Sequence, residues 1–352
     1  MYHVADYDYD LPAELIAQVP ALRRDESRLL SVERSSKRIS DHHFYDLPSL
    51  LRAGDLLVVN DAEVVPARLY GEKETGGKVE ILVIDHPAKP LKGGQDRRWC
   101  LVKASKRPKE GSAIVFPDGL TGIVETLSEN GKVLLRFEGK HGLDYVLKKR
   151  GCLPLPPYIK RDNNDKRAEI DRERYQTIFS RYSGAVAAPT AGLHCTRDLL
   201  TALQSRGGTI VSITLLVGHD TFRPVRVQDI REHTLQSESY TVSPAAASTI
   251  RRAKIEGKRV IAVGTTVVRA LETVSQKKGA IKADSGSTDL LIYPGFDFQA
   301  IDALLTNFHL PRSSLLFLVA AFAGRELTLR AYQWATEKRY RFYSYGDAML
   351  IS

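Results

Sequence analysis

Two histidines sit among residues suited to acid–base and ligand-binding chemistry. His194 ends the stretch Gly184-Ala-Val-Ala-Ala-Pro-Thr-Ala-Gly-Leu-His194, and His309 lies within Asn307-Phe-His-Leu-Pro311. Imidazole is the side chain whose ordinary titration falls closest to neutral pH, so both are candidates for proton transfer. Near His194, Thr190 brings a hydroxyl and Gly192 lets backbone approach a ligand closely. The same stretch also suits a tight turn packed by small residues. Near His309, Asn307 and Phe308 add an amide and an aromatic face, although a lone histidine is often structural. A third stretch, Val263-Gly264-Thr265-Thr266-Val-Val-Arg269, joins a strand to a helix. Free backbone N–H groups and two hydroxyls there suit a carboxylate, phosphate or ribose, and plain threonine capping is the alternative. The stretch has neither the GxGxxG spacing of a dinucleotide site nor the lysine of a P-loop. Arg269 and Glu272, three residues apart on one helix face, form either a surface pair or part of a pocket lining. Tyr293-Pro-Gly-Phe296 reads as the end of a strand. Its aromatics suit a nucleobase or a cationic sulfonium, or equally an ordinary core.

Elements of two kinds must position these residues. Asp55–Asn60 is an apolar run with the look of a buried strand. From Leu69 to Phe137, short β-rich runs recur at Val79–Ile84, Trp99–Lys103, Ala113–Phe116, Gly122–Thr126 and Val133–Phe137. Turns at Gly76-Gly77, Gly93-Gly94, Asp118-Gly119 and Asn130-Gly131 separate them. That texture predicts a small antiparallel barrel or sandwich inserted into a larger α/β unit. The expected domains are residues 1–66 with 151–352, and an inserted 67–150. Leu153-Pro-Leu-Pro-Pro-Tyr158 closes the insertion and cannot be helix. Beyond it, strands are expected at Thr209–Leu216, Arg259–Val263 and Ile301–Thr306. Helices are expected at Arg197–Ser205, Pro244–Glu256, Val267–Val274 and Ser314–Phe322. Such alternation predicts a largely parallel or mixed sheet with helices on its faces, whose ligands gather at the carboxyl ends of strands.

Bulk properties narrow the function. The 352 residues are 43% hydrophobic and 26% charged, as in an ordinary globular protein of more than one core. Three scattered cysteines, Cys100, Cys152 and Cys195, suit neither a disulfide framework nor a zinc site, and the histidines show no HxxxH pairing, so no metal is expected. No apolar run approaches the roughly 20 residues of a membrane span, and the start, MYHVADYDYDLP, is unlike a signal peptide; a soluble cytoplasmic protein is expected. The net charge of +9 suits a polyanionic partner. Basic residues cluster at Lys103, Lys106, Arg107 and Lys109, and at Lys148, Lys149, Arg150, Lys160 and Arg161.

Taken together, GAVAAPTAGLH (184–194), VIAVGTTVVRALE (260–272), IYPGF (292–296), TNFHLPRSSLLFLVAAFAG (306–324) and YRFYSYGDAMLI (340–351) resemble the S-adenosylmethionine:tRNA ribosyltransferase-isomerases of queuosine biosynthesis. SRLL (27–30), PARLYG (66–71), KASKRPKEG (103–111), PLPPYI (154–159) and RYQTIF (174–179) support the likeness. The resemblance implies a large α/β domain carrying a β-barrel. It also implies a reaction in which S-adenosylmethionine, consumed as co-substrate without further cofactor, gives up its ribosyl unit. The acceptor is 7-aminomethyl-7-deazaguanine at the tRNA wobble position; epoxyqueuosine forms and adenine and methionine leave. The sulfonium acidifies the adjacent ribose hydrogens, which a base near neutral pKa can remove. His194 and His309 are the candidates, with Gly264, Thr265 and Thr266 on ribose or carboxylate and Tyr293 and Phe308 on adenine or sulfonium. Lys103, Lys106, Arg107 and Arg161 are candidate RNA contacts, and a monomer is expected.

Several positions depart from the family pattern. The usual LHVGxGTF reads Leu215-Leu216-Val-Gly218-His219-Asp220-Thr221-Phe222, keeping Gly218, Thr221 and Phe222 as candidate substrate contacts. The usual HxMHxE reads His233-Thr-Leu235-Gln236-Ser-Glu238, keeping His233 and Glu238 as candidate catalytic groups but replacing the second histidine with Gln236. Asn-Asp-Thr-Arg-Val has become Asn60-Asp61-Ala62-Glu63-Val64, and Cys195 stands where phenylalanine is common. These changes leave open a second reading, a diverged homologue that binds tRNA without catalysis. An ordinary methyltransferase is disfavoured, since neither its glycine-rich loop after the first strand nor its following acidic residue appears.

Overall fold

The computed structural model describes residues 2–85, 96–129, 131–161, 165–218 and 224–352. Short helical turns lead into the antiparallel pair β1 (Arg28–Val32) and β2 (Ile39–His43), a one-turn helix α1 (Leu47–Leu50), and strands β3 (Leu56–Asn60) and β4 (Ala62–Val64). Six strands follow: β5 (Arg68–Lys73), β6 (Lys78–Val83), β7 (Asp96–Ala104), β8 (Ala113–Val115), β9 (Thr121–Leu127) and β10 (Lys132–Glu138). Then come helices α2 (Leu143–Arg150) and α3 (Arg167–Arg174), strand β11 (Tyr182–Ala185), helix α4 (Arg197–Ser205), and strands β12 (Thr209–Leu215) and β13 (Glu238–Val242). Helix α5 (Pro244–Ile255), β14 (Val260–Val263), α6 (Thr265–Lys278), β15 (Asp284–Thr288), β16 (Ala303–Asn307), α7 (Ser314–Ala323), α8 (Arg325–Glu337) and β17 (Ala348–Ile351) complete the order.

The larger sheet runs β15-β13-β12-β3-β14-β16-β17-β1-β2. Its centre, β12-β3-β14-β16, is parallel, while β17 runs antiparallel to β16 and parallel to β1. A parallel strand buried on both faces reads as an unbroken apolar run, as β3 and β14 do. Leu56, Val58, Val260 and Ala262 enter one core, shared with α5, α6, α7 and α8. Leu57, Val59, Ile261 and Val263 enter the opposite core, under α1 and α4. Helices therefore cover both faces of the sheet.

The six strands β5–β10 close into a barrel, every pairing antiparallel. Leu69, Val79, Ile81, Cys100, Ile114, Val124, Val133 and Leu135 fill it, and Leu143, Val146 and Leu147 of α2 join the same core. The barrel's two ends meet at a stem in which Arg68 and Cys152 exchange backbone hydrogen bonds of 3.1 and 2.8 Å. Gly151 sits against this stem so closely that a Cβ would lie 2.6 Å from Pro66 O.

Helix α4 occupies the expected residues, and Ser243 caps α5 by accepting from Ala246 N. Four features differ from the sequence reading. Helix α6 begins at Thr265 and extends to Lys278, because Gly264 (φ 98°) and Gly279 (φ 68°) adopt backbone conformations that only glycine takes freely at either end. The strand expected before Tyr293 is absent: the described residues 289–300 are irregular, with a turn at Pro294-Gly295. Helix α2 lies in the 67–150 insertion, beyond the β-rich runs that end at Phe137, and was not among the expected helices. Helix α8 starts immediately after α7, with Gly324 serving as the end of one and the start of the other. The turns at Gly93-Gly94 and Asn130 lie outside the described residues.

Candidate active site at the carboxyl ends of the central strands

Strands β14 and β16 are parallel neighbours, so their carboxyl ends open side by side. β14 passes through Gly264 into α6, and β16 passes through residues 308–313 into α7, capped by Ser313. The turn Thr190–His194 packs against β16 and supplies the third wall. Between these loops lies a cavity of about 340 Å³ lined by Thr190, Gly264, Thr265, Thr266, Thr306, Asn307, Phe308 and His309. Tyr158, Val217, Val225 and Tyr343 complete its apolar part. Concave, mostly apolar sites with a few convergent polar groups are where small molecules bind. Here the polar groups are three loops' worth of hydroxyls and amides and the amino end of a fourteen-residue helix.

Several of these polar groups are held by others. Thr266 Oγ1 accepts from Asn60 Nδ2 at 3.3 Å, and Asn60 also ties β3 to Leu215 through bonds of 2.9 and 3.0 Å. His309 Nε2 lies 2.9 Å from Thr306 Oγ1. Its backbone is clamped by Tyr332, whose hydroxyl accepts from His309 N at 3.0 Å, and by Tyr9, whose hydroxyl donates to His309 O. Burial pushes the His309 imidazole down to about 3, so it enters the site neutral. Tyr158 and Tyr343 stack at 4.3 Å and 19° and form an aromatic wall, with Tyr158 bonded to Ser344 Oγ at 2.6 Å. Tyr343 holds a left-handed φ of 71°, a strained state for an aromatic residue and one that recurs at ligand sites.

Other candidates lie elsewhere. His194 does not line the cavity among the described residues. It lies behind the wall, stacked on Phe44, with Nδ1 at 2.7 Å from Ser27 Oγ and Nε2 at 3.0 Å from Asn307 Nδ2. Gly192 is buried in the same turn, tight against Thr177. Phe308 touches the cavity, but its ring packs among Tyr332, Tyr340 and Phe342. Tyr293 meets Tyr2 edge-on at 6.1 Å and lies outside the cavity. Glu272 is fully buried and accepts from Gln299 N and Ala300 N, both at 3.0 Å; it anchors a loop and does not face a ligand. Arg269 and Glu238 form a buried ion pair, with Arg269 also donating to Leu290 O and Glu238 accepting from Gly218 N at 2.7 Å. Glu238 of this pair edges a second cleft of about 660 Å³, between the sheet and Arg97, Arg98 and Trp99 of the barrel. Leu216 and Gln236 line that cleft too. His233 is half-buried after a short turn and lines neither space.

Ala62 and Glu63, the altered positions near the start, pair with Tyr182 and Ser183 in the small β4–β11 sheet, away from the cavity. Cys195 fills the core beside Leu199, where burial drives its thiol up to about 12. His219, Asp220, Thr221 and Phe222 lie outside the described residues. Lys103, Lys106 and Arg107 are exposed on the barrel. Arg161 is not free in this way: its guanidinium is bidentate on Asp171 and donates to Gln18 O and Lys160 O. Among the described residues no cluster of three or more histidine, cysteine or acidic groups could hold a metal.

Tyr158, Val217, Val225 and Tyr343 were not singled out from the sequence. Tyr158 and Tyr343 do lie within PLPPYI and YRFYSYGDAMLI, two stretches already noted, and an aromatic beside a proline bend or a glycine turn was the available signal.

Comparison with known proteins agrees with the geometry. A family model described as a queuosine biosynthesis protein matches residues 4–351. An S-adenosylmethionine:tRNA ribosyltransferase-isomerase of Geobacter sulfurreducens is 47% identical over 349 residues, covering 99% of each chain. One from Citrifermentans bemidjiense is 49% identical, again over 99% of each chain. The crystal structure of a Thermotoga maritima S-adenosylmethionine tRNA ribosyltransferase matches with a TM-score of 0.56 and 36% identity, over 99% of this chain and 100% of that one. With the matched family model running almost end to end and these relatives close to half identical, the chain belongs to the queuosine biosynthesis protein family.

Proposed function

We propose that this protein is an S-adenosylmethionine:tRNA ribosyltransferase-isomerase. It moves and isomerises the ribosyl unit of S-adenosylmethionine onto 7-aminomethyl-7-deazaguanine at the tRNA wobble position, forming epoxyqueuosine and releasing adenine and methionine. The observation that carries this reading is the convergence of Gly264-Thr265-Thr266, Thr306–His309 and Thr190 on one cavity, in a chain near half identical to enzymes of that name. The α6 amino end and its threonines suit the methionine carboxylate or ribose. The Tyr158–Tyr343 wall suits the sulfonium or adenine. His309, neutral and inside the cavity, is placed to hydrogen-bond the bound substrate, while burial holds its imidazole below the near-neutral range that suits a general base.

The second cleft, between sheet and barrel, is the place for the modified base and its neighbouring nucleotides, with Lys103, Lys106 and Arg107 contacting phosphate. The chain divides into an α/β unit, residues 1–66 and 151–352, and an inserted barrel unit, 67–150. No helix among the described residues is long and apolar enough to cross a membrane, and a monomer working in the cytoplasm with no further cofactor completes the proposal. Incubating the purified protein with S-adenosylmethionine is expected to release adenine only when tRNA bearing 7-aminomethyl-7-deazaguanine is present. Binding of that tRNA without adenine release would instead identify a homologue that has lost catalysis.

A further inference from the structure

Helix α2 carries two unlike faces. Leu143, Val146 and Leu147 enter the barrel core, while Tyr145, Lys148, Lys149 and Arg150 are exposed on the other side. A row at four-residue spacing, the repeat that makes helical side chains neighbours, runs along that outer side from His141, just before the helix, through Tyr145 to Lys149. The rings of His141 and Tyr145 stack at 4.3 Å and 24°, and Lys149 Nζ lies 5.6 Å over the Tyr145 ring. Tyr145 remains 47% exposed, so the barrel core makes no use of it. Lys140, Lys148 and Arg150 flank the row, all exposed. Asp118 takes Lys149 and Arg150 as partners, at 3.4 and 3.2 Å; Lys140 and Lys148 enter no ion pair among the described residues. The helix stands beside the cleft between sheet and barrel. Asp144, in its first turn, lies 3.8 Å from Arg98, which lines that cleft. Lys103, by comparison, is five residues along β7 from Arg98, about 17 Å at the rise of an extended strand.

We propose that this outer face of α2 is a tRNA-contact surface: an unpaired base stacks on the His141–Tyr145 pair, and phosphates sit on Lys140, Lys148 and Lys149. This rests on the reading of the protein as an enzyme that acts on tRNA, and it adds a place where nucleotides near the modified base are held. Every base has a π-face, so stacking on an exposed aromatic accepts any sequence. Lysine is a flexible point charge that meets phosphate from many directions. When Lys149 turns to a phosphate, Arg150 stays on the Asp118 carboxylate, where it donates through both Nε and Nη2. A protein partner fits this face less well, because lysine is depleted in protein–protein contacts, whereas aromatics set among cations are the pattern of single-strand grooves.

Anisotropy titrations of the full-length protein with a fluorescent, unmodified tRNA transcript test this. Tyr145→Ala is expected to raise the Kd about tenfold, as for loss of one base–aromatic stack, while Tyr145→Phe stays within about twofold of the parent. Replacing both Lys140 and Lys148 with glutamine should weaken binding and lower the log–log salt slope by about 0.7–0.9 for each phosphate released. An unchanged urea midpoint in each variant shows that the barrel and its helix are intact. Parent-like Kd and salt slope in both Tyr145→Ala and the lysine variant would overturn the inference. So would equal losses in Tyr145→Phe and Tyr145→Ala, since the hydroxyl and not the ring would then make the contact. If the parent itself binds no tRNA, the proposed function falls and this surface with it; if the parent binds and the variants match it, this surface alone falls.

Discussion

At the scale of single residues, burial decides what a titratable group can do. The imidazoles of His194 and His309 are each held near about 3, against an ordinary 6.5, chiefly because burial removes the water that would stabilise their charge. Both folded-state values lie below the unfolded one, so the unfolded chain takes up the extra protons. The stability these groups contribute is complete above pH 6.5 and is lost as pH falls toward 3. The loss runs at up to about 1.4 kcal/mol per pH unit for each ring. Urea unfolding of wild type and of a His194→Gln, His309→Gln variant across that window should show a shallower acid decline in the variant. Equal slopes would mean that the rings titrate as in water. The polar loops of the cavity were legible because Gly264-Thr-Thr, Asn307-Phe-His and Thr190 interrupt apolar runs at strand ends. The separate fates of the two histidines were not. Their identical chemistry is divided by contacts 167 residues apart, Ser27 with His194, which no local pattern carries.

At the scale of elements, propensity governed where neighbours agreed with it. The five β-rich runs of the barrel and the capped helix at Ser243 were readable because alternation, turns and caps are local. Strand β15, Asp-Ser-Gly-Ser-Thr, has turn-like composition and is extended only because β13 offers it an edge along five residues. The reverse holds at Tyr293, where an apolar lead-in predicts a strand but no partner edge is available. Helix α2 was missed because eight residues with three apolar positions are a weak signal until the open end of a barrel receives them. Barrel packing also fixes Gly71 of β5: a Cβ there would stand 2.6 Å from both the Phe116 ring and Val115 O. Gly71→Ala should therefore cost about 1–3 kcal/mol by overpacking, measurable as a lower urea midpoint. An unchanged midpoint would show that Phe116 yields without penalty.

At the scale of the whole molecule, charge and topology set the terms of recognition and assembly. Lys103, Lys106 and Arg107 stand exposed on the barrel, apart from the cavity, so they are expected to act on affinity and not on chemistry. Reversing all three to glutamate should weaken tRNA binding and flatten its dependence on salt by about 0.7–0.9 in log–log slope for each phosphate no longer neutralised. Anisotropy titrations over a range of salt concentrations would read this, with S-adenosylmethionine affinity unchanged. A slope equal to wild type would place the RNA elsewhere. Topology has a further consequence during synthesis. The barrel is one continuous stretch tied at its stem, so it can close while later residues are still being made. The large sheet cannot. Strand β17, the last of the described strands to leave the ribosome, is the seam between β16 and β1. Until it arrives, two apolar sheet edges stand open on the nascent chain. A chain truncated before Ala348 would be a finished barrel attached to a sticky, unsealed sheet. Such a product is expected to be cleared by proteases or lost to aggregation, and not to persist as a weak enzyme.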